Sequence, residues 1–310
     1  MRRFALLFLA TLAALSVVAG CAAAPAARSP APAPTLDDGR AVALFDGRSG
    51  RRLAWEELLE RAAAADVVVV GETHSLAPGL AFAQALYEDL LTRSRPALSL
   101  EFFSRDHQVA VDDYRTGVID EAAFRKATGR TEGNYPFGHR NMLESARRAG
   151  AAVVAANAPR RYARLARTQG FEALRALRPS QRALFVVPEA LTPGPYEEAF
   201  RETMQAMAAQ GQAGHSDGED VVAGFYRAQN LWDATMADSI VRQLAHGPVL
   251  HVVGRFHSDF GGGLVRRLRA QAPRGTTLLT ISVLDESAPE LAPKDVARAD
   301  VVVHAQSARR

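Results

Sequence analysis

Lysine is nearly missing from this 310-residue chain: Lys126 and Lys294 are the only two, and arginine carries almost all the positive charge. The arginines are scattered and the formal charge is only +3 at pH 7. A polyanion-binding surface needs basic groups gathered on one face, so a nucleic-acid partner is not supported. Cysteine is scarcer still, a single residue at Cys21. One thiol makes no intramolecular disulfide and builds no thiolate metal site in the folded domain. There is no His-Glu-x-x-His zinc motif, and no Gly-x-Ser-x-Gly between an apolar strand and a helix. Any hydrolysis would have to be water-mediated rather than run through those devices. With 48% hydrophobic residues the chain is globular rather than disordered.

Long apolar runs are also absent, except at the start. Phe4 to Ala19 follows Arg2-Arg3 and ends in Val18-Ala19-Gly20-Cys21. It is short of the roughly 20 residues that cross a bilayer, and its flanks are those of a secretory leader. Residues 1–20 read as a lipoprotein signal peptide, with Cys21 as the lipidated residue after cleavage. The segment 21–40 adds a proline- and alanine-rich tether that cannot pack a core. Ala22, where an aspartate would suggest inner-membrane retention, points to the outer membrane of a Gram-negative cell. Residues 41–310 are expected to form one domain.

In that domain short apolar blocks alternate with helical spacing. The expected strands are Val67–Val70, Ala97–Glu101, Ala152–Ala156, Val249–Val253, Leu278–Val283 and Val301–His304. Unbroken Val, Leu and Ile blocks suit strands covered on both faces. Leu80, Ala83, Leu86 and Leu90 recur at helical intervals, as do Met142, Leu143 and Ala146 before a stop at Gly150. This predicts an α/β fold: a largely parallel central sheet flanked by helices. Residues 160–245 lack convincing strands, and read as a helical insertion or cap standing over the sheet's edge. "GQAGHSDGED", residues 211–220, reads as a loop that carries His215.

Two apolar blocks end alike, in Gly71-Glu72-Thr73-His74 and Gly254-Arg255-Phe256-His257. In an open α/β sheet, sites lie beyond the carboxyl ends of strands. Glycine gives the backbone room there, and a histidine can bind metal, move a proton or hold an anion. Glu101 ends a third block, where a carboxylate needs an ionic or metal partner, or else caps the helix that follows. Asn157 and Arg160 close a fourth; Arg160 can fork onto a carboxylate of a ligand or of Glu101. On the helix "GFYRAQNLWDATMADSI", Gln229 and Asp233 fall within an apolar arc with Phe225, Trp232, Met236 and Ile240. Buried polar groups need partners, here either a neighbouring loop or a ligand; Met236 reads as core.

In order, "ADVVVVGETHS", "LSLEFF", "AANAPRR", "FYRAQNLWDATMADSI" and "GRFHSDFGGGLVRRL" resemble the ChaN-type haem-binding uptake lipoproteins over about residues 45–283. That family is grouped with the Tiki-type, TraB-type and erythromycin-esterase-like proteins. The resemblance implies a lipid-anchored haem-binding protein in iron acquisition, as a homodimer or with outer-membrane haem transport components as partners. It implies haem-binding positions at His74, Asn157, Arg160, Gln229, Asp233 and His257, with Met236 also matched. The axial iron ligand stays open among Tyr87, Tyr114, Tyr135, Tyr226 and the histidines. The alternative is a hydrolase acting on ester or peptide bonds. There Glu72, His74, Glu101 and His257 either hold a divalent metal ion with a position open for water, or work as acid and base without one.

Overall fold

The computed structural model describes residues 39–209 and 218–306. Cys21, the leader, the tether and His215 lie outside the described residues. Eight strands form one sheet: β1 (Ala43–Asp46), β2 (Arg52–Leu53), β3 (Val67–Glu72), β4 (Ala97–Ser104), β5 (Val153–Asn157), β6 (Val249–Gly254), β7 (Leu278–Leu284) and β8 (Val301–His304). Their spatial order is β2-β1-β8-β7-β3-β6-β4-β5. β1 runs antiparallel to both neighbours and all other pairings are parallel. The sheet is therefore mixed and mostly parallel. Every expected strand is present within a few residues. The short antiparallel pair β1–β2 carries no long apolar block, which is why the sequence did not announce it.

The helices are α1 (Trp55–Ala63), α2 (Ala77–Leu91), α3 (Gln108–Thr116), α4 (Glu121–Thr128), α5 (Phe137–Ala149), α6 (Arg160–Arg175), α7 (Pro179–Arg182), α8 (Pro195–Ala209), α9 (Glu219–Leu244) and α10 (Gly263–Gln271). Successive strand residues point to opposite faces, and the valines of β3 divide accordingly. Val68 and Val70 join the core under α1, α2, α3 and α5, with Leu86, Leu90, Met142 and Ile281. Val67 and Val69 join the opposite core with Met236, Ile240 and Leu264. Both faces are covered, as the continuous apolar blocks require. α5 stops at Gly150, whose left-handed φ of 66° closes the helix cheaply because glycine has no Cβ. Among the described residues no helix is long and apolar enough to cross a membrane.

The described residues of 160–245 contain helices α6 to α9 and no strand, but α9 is not an appendage at the sheet's edge. Its C-terminal half packs on the sheet itself: Met236, Ala237 and Ile240 lie against Val69, Val249 and Val253. Its N-terminal half holds two smaller cores with α6 and α8, built on Tyr162, Phe185 and Leu231 and on Phe200 and Tyr226. The apolar arc read from the sequence spans both environments, and only the contacts separate them.

Candidate functional site

β6 lies between β3 and β4 although the chain visits β4 and β5 first. The order of visits reverses there, and that is where an open α/β sheet leaves a crevice beyond its carboxyl ends. Glu72 pairs in register with Gly254, so the two Gly-x-x-His segments are immediate neighbours. Their glycines make that fit possible through space rather than through unusual dihedrals. A Cβ on Gly254 would lie 2.8 Å from His74 Nε2, and one on Gly71 would meet Ser258 Oγ at 2.5 Å and Arg255 Cα at 2.9 Å. Each glycine makes way for the other segment. Ser75, with φ of 63°, then turns the chain from His74 into α2.

Glu101 reaches the same crevice by another device. The pairing of β4 with β5 slips between Leu100 and Ser104, and such a bulge re-aims a side chain. β4 continues to Ser104, so Glu101 neither ends the strand nor caps a helix. Its Oε2 accepts the Gly254 N–H at 2.6 Å, and its Oε1 lies 3.6 Å from His257 Nε2. Glu101 thus stands between the two motif histidines.

Two carboxylate–imidazole clusters result. In the first, buried Glu72 faces His74 Nδ1 at 3.0 Å through Oε1 and His139 Nε2 at 2.9 Å through Oε2. Burial works against the Glu72 charge, yet the two imidazoles more than offset it and hold its pKa at about 2. Glu72 in turn raises His74, whose side chain is 68% exposed and whose Nε2 makes no hydrogen bond among the described residues. In the second cluster, fully buried Asp233 faces His257 Nδ1 at 2.6 Å and accepts the Tyr196 hydroxyl at 2.9 Å. Gln229 Nε2 donates to Tyr196 at 3.0 Å and abuts the His257 ring. Burial depresses His257, but Asp233 and then Glu101 outweigh it, leaving its pKa at about 8. The start of α10 packs tightly on this pair, since a Cβ on Gly263 would fall 2.1 Å from Asp233 Oδ2.

The crevice opens into a cavity of about 610 Å³ lined by Glu72, Glu101, His139, Asn157 and Arg160, with Phe102, Pro159, Trp232 and Val252 as apolar surface. That volume falls within the roughly 300–1,000 Å³ typical of small-molecule sites. Glu72, His74, Glu101, Asp233, Gln229 and His257 are thus drawn together by contact. Of these, Glu72 and Glu101 line the cavity, and Asn157 and Arg160 lie on the same lining. Asn157 Oδ1 accepts the Ala158 N–H at 2.8 Å. Arg160 is exposed and does not pair with Glu101; among the described residues it makes no hydrogen bond or ion pair. Met236 is core.

Among the described residues no group of three or more His, Cys, Asp or Glu side chains is spaced to hold a metal ion. The set Glu72, His74, Glu101 and His257 does not converge on one point, because both Glu72 oxygens are committed to imidazoles. The letters of Gly214-His215-Ser216-Asp217-Gly218 match Gly-x-Ser-x-Gly. They fall between helices α8 and α9, not after a strand, and all of them but Gly218 lie outside the described residues.

Three side chains of these clusters and of the cavity lining escaped the sequence. His139 sits in α5 among charged residues, Tyr196 opens α8, and Arg130 follows α4. The only signal for His139 was its burial at one turn from Met142 on the α5 face. No local pattern marks the other two.

A family model described as haem-binding uptake, Tiki superfamily, ChaN matches residues 58–268. No curated protein sequence matches the chain. Among solved structures, Campylobacter jejuni ChaN, described with cofacial haem binding, is 13% identical, with a TM-score of 0.65 over 86% of this chain and 97% of that one. At that identity the likeness concerns the fold. The type III effector HopBA1 is 13% identical with a TM-score of 0.43, covering 88% of this chain and 100% of that one. A Bacillus cereus protein is 12% identical with a TM-score of 0.44, covering 73% and 67%. Neither of these last two likenesses carries an argument. The match across two thirds of the sequence, with the motifs it spans meeting at one crevice, makes this chain a member of the ChaN family of the Tiki superfamily.

Proposed function

We propose that this protein is a lipid-anchored haem-binding protein serving iron acquisition, and that His74 is its iron ligand. The family supports haem as cargo; the exposure of His74 is the observation that carries the assignment. Haem iron takes an axial His, Tyr, Met or Cys. Tyr87, Tyr114, Tyr135, Tyr162 and Tyr226 are buried, and the Tyr196 hydroxyl is committed to Asp233. His74 offers a free Nε2, while Glu72 accepts from Nδ1 and fixes the ring. Metal-ligating histidines are characteristically oriented by such a carboxylate. Phe102, Trp232, Pro159 and Val252 supply apolar surface within an otherwise polar and charged lining, which suits a flat ligand that also carries charged groups. In this reading α6 to α8 act as the cap, and two copies of the chain can share the cargo.

Haem titration tests the assignment. The wild-type protein should give a sharpened Soret band with defined stoichiometry, and His74→Ala should lose it. Glu72→Gln should weaken binding by about 10–100-fold, the usual cost of removing a carboxylate behind a metal-bound histidine. An unchanged spectrum and affinity in His74→Ala would overturn His74 as ligand. The leader supports membrane attachment through Cys21, with residues 21–40 as tether and 41–310 as one domain. Mass spectrometry of mature protein from the outer membrane should find acylated Cys21 at the N-terminus; a free thiol or another cleavage site contradicts this.

A second reading rests on a different observation. The Asp233–His257 pair, held near pKa 8 with Nε2 turned toward Glu101, is the arrangement of an oriented acid beside a carboxylate base. It would serve water-mediated cleavage of an ester or peptide bond, with Glu101 activating water and His257 protonating the leaving group. Screening against ester and peptide libraries, with metal analysis, tests it. Turnover abolished by His257→Ala supports this reading, and the absence of turnover removes it.

A further inference from the structure

The cavity lining carries Glu72, Glu101 and His139 together with Arg130, Arg160, Arg161, His107 and Asp106. Arg161 and Asp106 neutralise each other through an ion pair of 2.6 Å. Arg130 and Arg160 have no such partner. The Arg130 guanidinium lies 3.8 Å from the Phe102 ring centre and donates to the Phe102 carbonyl at 2.6 Å. Its Nε is buried without any hydrogen-bond partner, and among the described residues no carboxylate reaches it. A buried donor on a charged group is costly when unmet. Placing Arg160 near it adds repulsion, and burial together with that charge pushes Arg130 below the usual arginine range.

The start of α6 lies on the same wall. Ala158, Pro159, Arg160 and Arg161 line the cavity, and the first turn of this helix, which is broken at Gly170, contains no acidic residue. Unpaired N–H groups at a helix start favour an anion. Here they coincide with two guanidiniums lacking a counter-charge, one of them partly buried with an unmet N–H. Stacking on Phe102 keeps the Arg130 plane fixed, which suits a planar two-oxygen partner better than a tetrahedral one. The carboxylates of Glu72, Glu101 and Asp106 on the same lining also favour a singly charged group over a doubly charged one.

We infer that Arg130, Arg160 and the start of α6 form an anion subsite that binds a carboxylate of the cavity's ligand. The inference rests on this cavity being the ligand site and specifies a group that the ligand must carry there. For haem, that group is a propionate.

The test compares haem with haem dimethyl ester, and benzoate with inorganic phosphate, in wild type, Arg130→Gln and Arg160→Gln. Quenching of Trp232, which lines the cavity, reports the small anions, and Trp232→Phe identifies its signal. Circular dichroism and thermal melting confirm folding; exposed Arg160 supplies a variant that leaves the core untouched. Wild type should prefer haem over its ester by about tenfold to hundredfold, as expected for losing a charge-assisted pair. Either arginine variant should reduce that preference and weaken benzoate binding. Equal affinity for haem and ester overturns the subsite while leaving haem binding intact. If wild type binds neither porphyrin, the haem reading fails and benzoate decides: binding weakened by both variants supports the subsite, and none overturns it. Binding of phosphate but not benzoate overturns the carboxylate assignment.

Discussion

Replacing Asp233 by alanine is expected to destabilise the protein by about 3–5 kcal/mol, the usual cost of removing one partner from a buried ion pair. Asp233 is fully buried and receives Tyr196 and His257 on its two oxygens. Without it the His257 imidazolium remains enclosed, and the Tyr196 hydroxyl loses its acceptor. Urea unfolding at pH 7 reads the loss directly; a change under about 1 kcal/mol would show that the pair does not hold the site. Asp233→Asn separates charge from shape. It keeps an oxygen for Tyr196 while His257 should titrate well below about 8, as followed by its ring proton resonances. The pair also sets an alkaline limit. The folded pKa of His257, about 8, exceeds the unfolded value near 6.5. Its stabilisation is therefore complete below about pH 6.5 and is lost as pH rises through 8, a change on the order of 2 kcal/mol.

Acid should act harder than base. His251, in the middle of β6, is wholly buried with Nδ1 2.8 Å from Ser99 Oγ and Nε2 without a partner. Burial, reinforced by the charge of His257, depresses its pKa to about 3. An unfolded chain takes up this proton near pH 6.5 and the folded chain only near 3. The contribution is thus full above 6.5 and drains away as pH falls to 3, by about 5 kcal/mol on the order of one proton's linkage over that window. Glu72, held at about 2, adds a further loss between about pH 4.5 and 2. Chemical unfolding at pH 7, 5.5 and 4 should show a steep decline in the wild type and a slope shallower by about one proton in His251→Gln. Equal slopes in the two proteins would contradict a buried neutral His251.

Much of the site was legible because its signals are local. Val67–Val70 and Val249–Val253 announce strands covered on both faces, and the glycine and histidine after each mark carboxyl ends. Gln229 and Asp233 stand out as polar groups on an apolar helical arc, and both face His257. Other features depend on pairing. Glu101 reads as a strand end, but a slip in register turns it toward Gly254. The four-residue set Glu72, His74, Glu101 and His257 suggests a metal, yet His139 claims the second Glu72 oxygen. Arg160 reads as a partner for a ligand carboxylate or for Glu101; it does not pair with Glu101, and its charge acts on Arg130.

The sequence by itself determined the alternation of strands and helices, the residues at the carboxyl ends, and the family. These follow from side-chain periodicity and turn chemistry, which act over a few residues. Tertiary structure decided that β6 enters between β3 and β4, bringing His74 and His257 to the two sides of Glu101, and that His139, Tyr196 and Arg130 complete the site. Those neighbours are set by the order in which distant strands pair and helices pack, and no short stretch of chain carries that information.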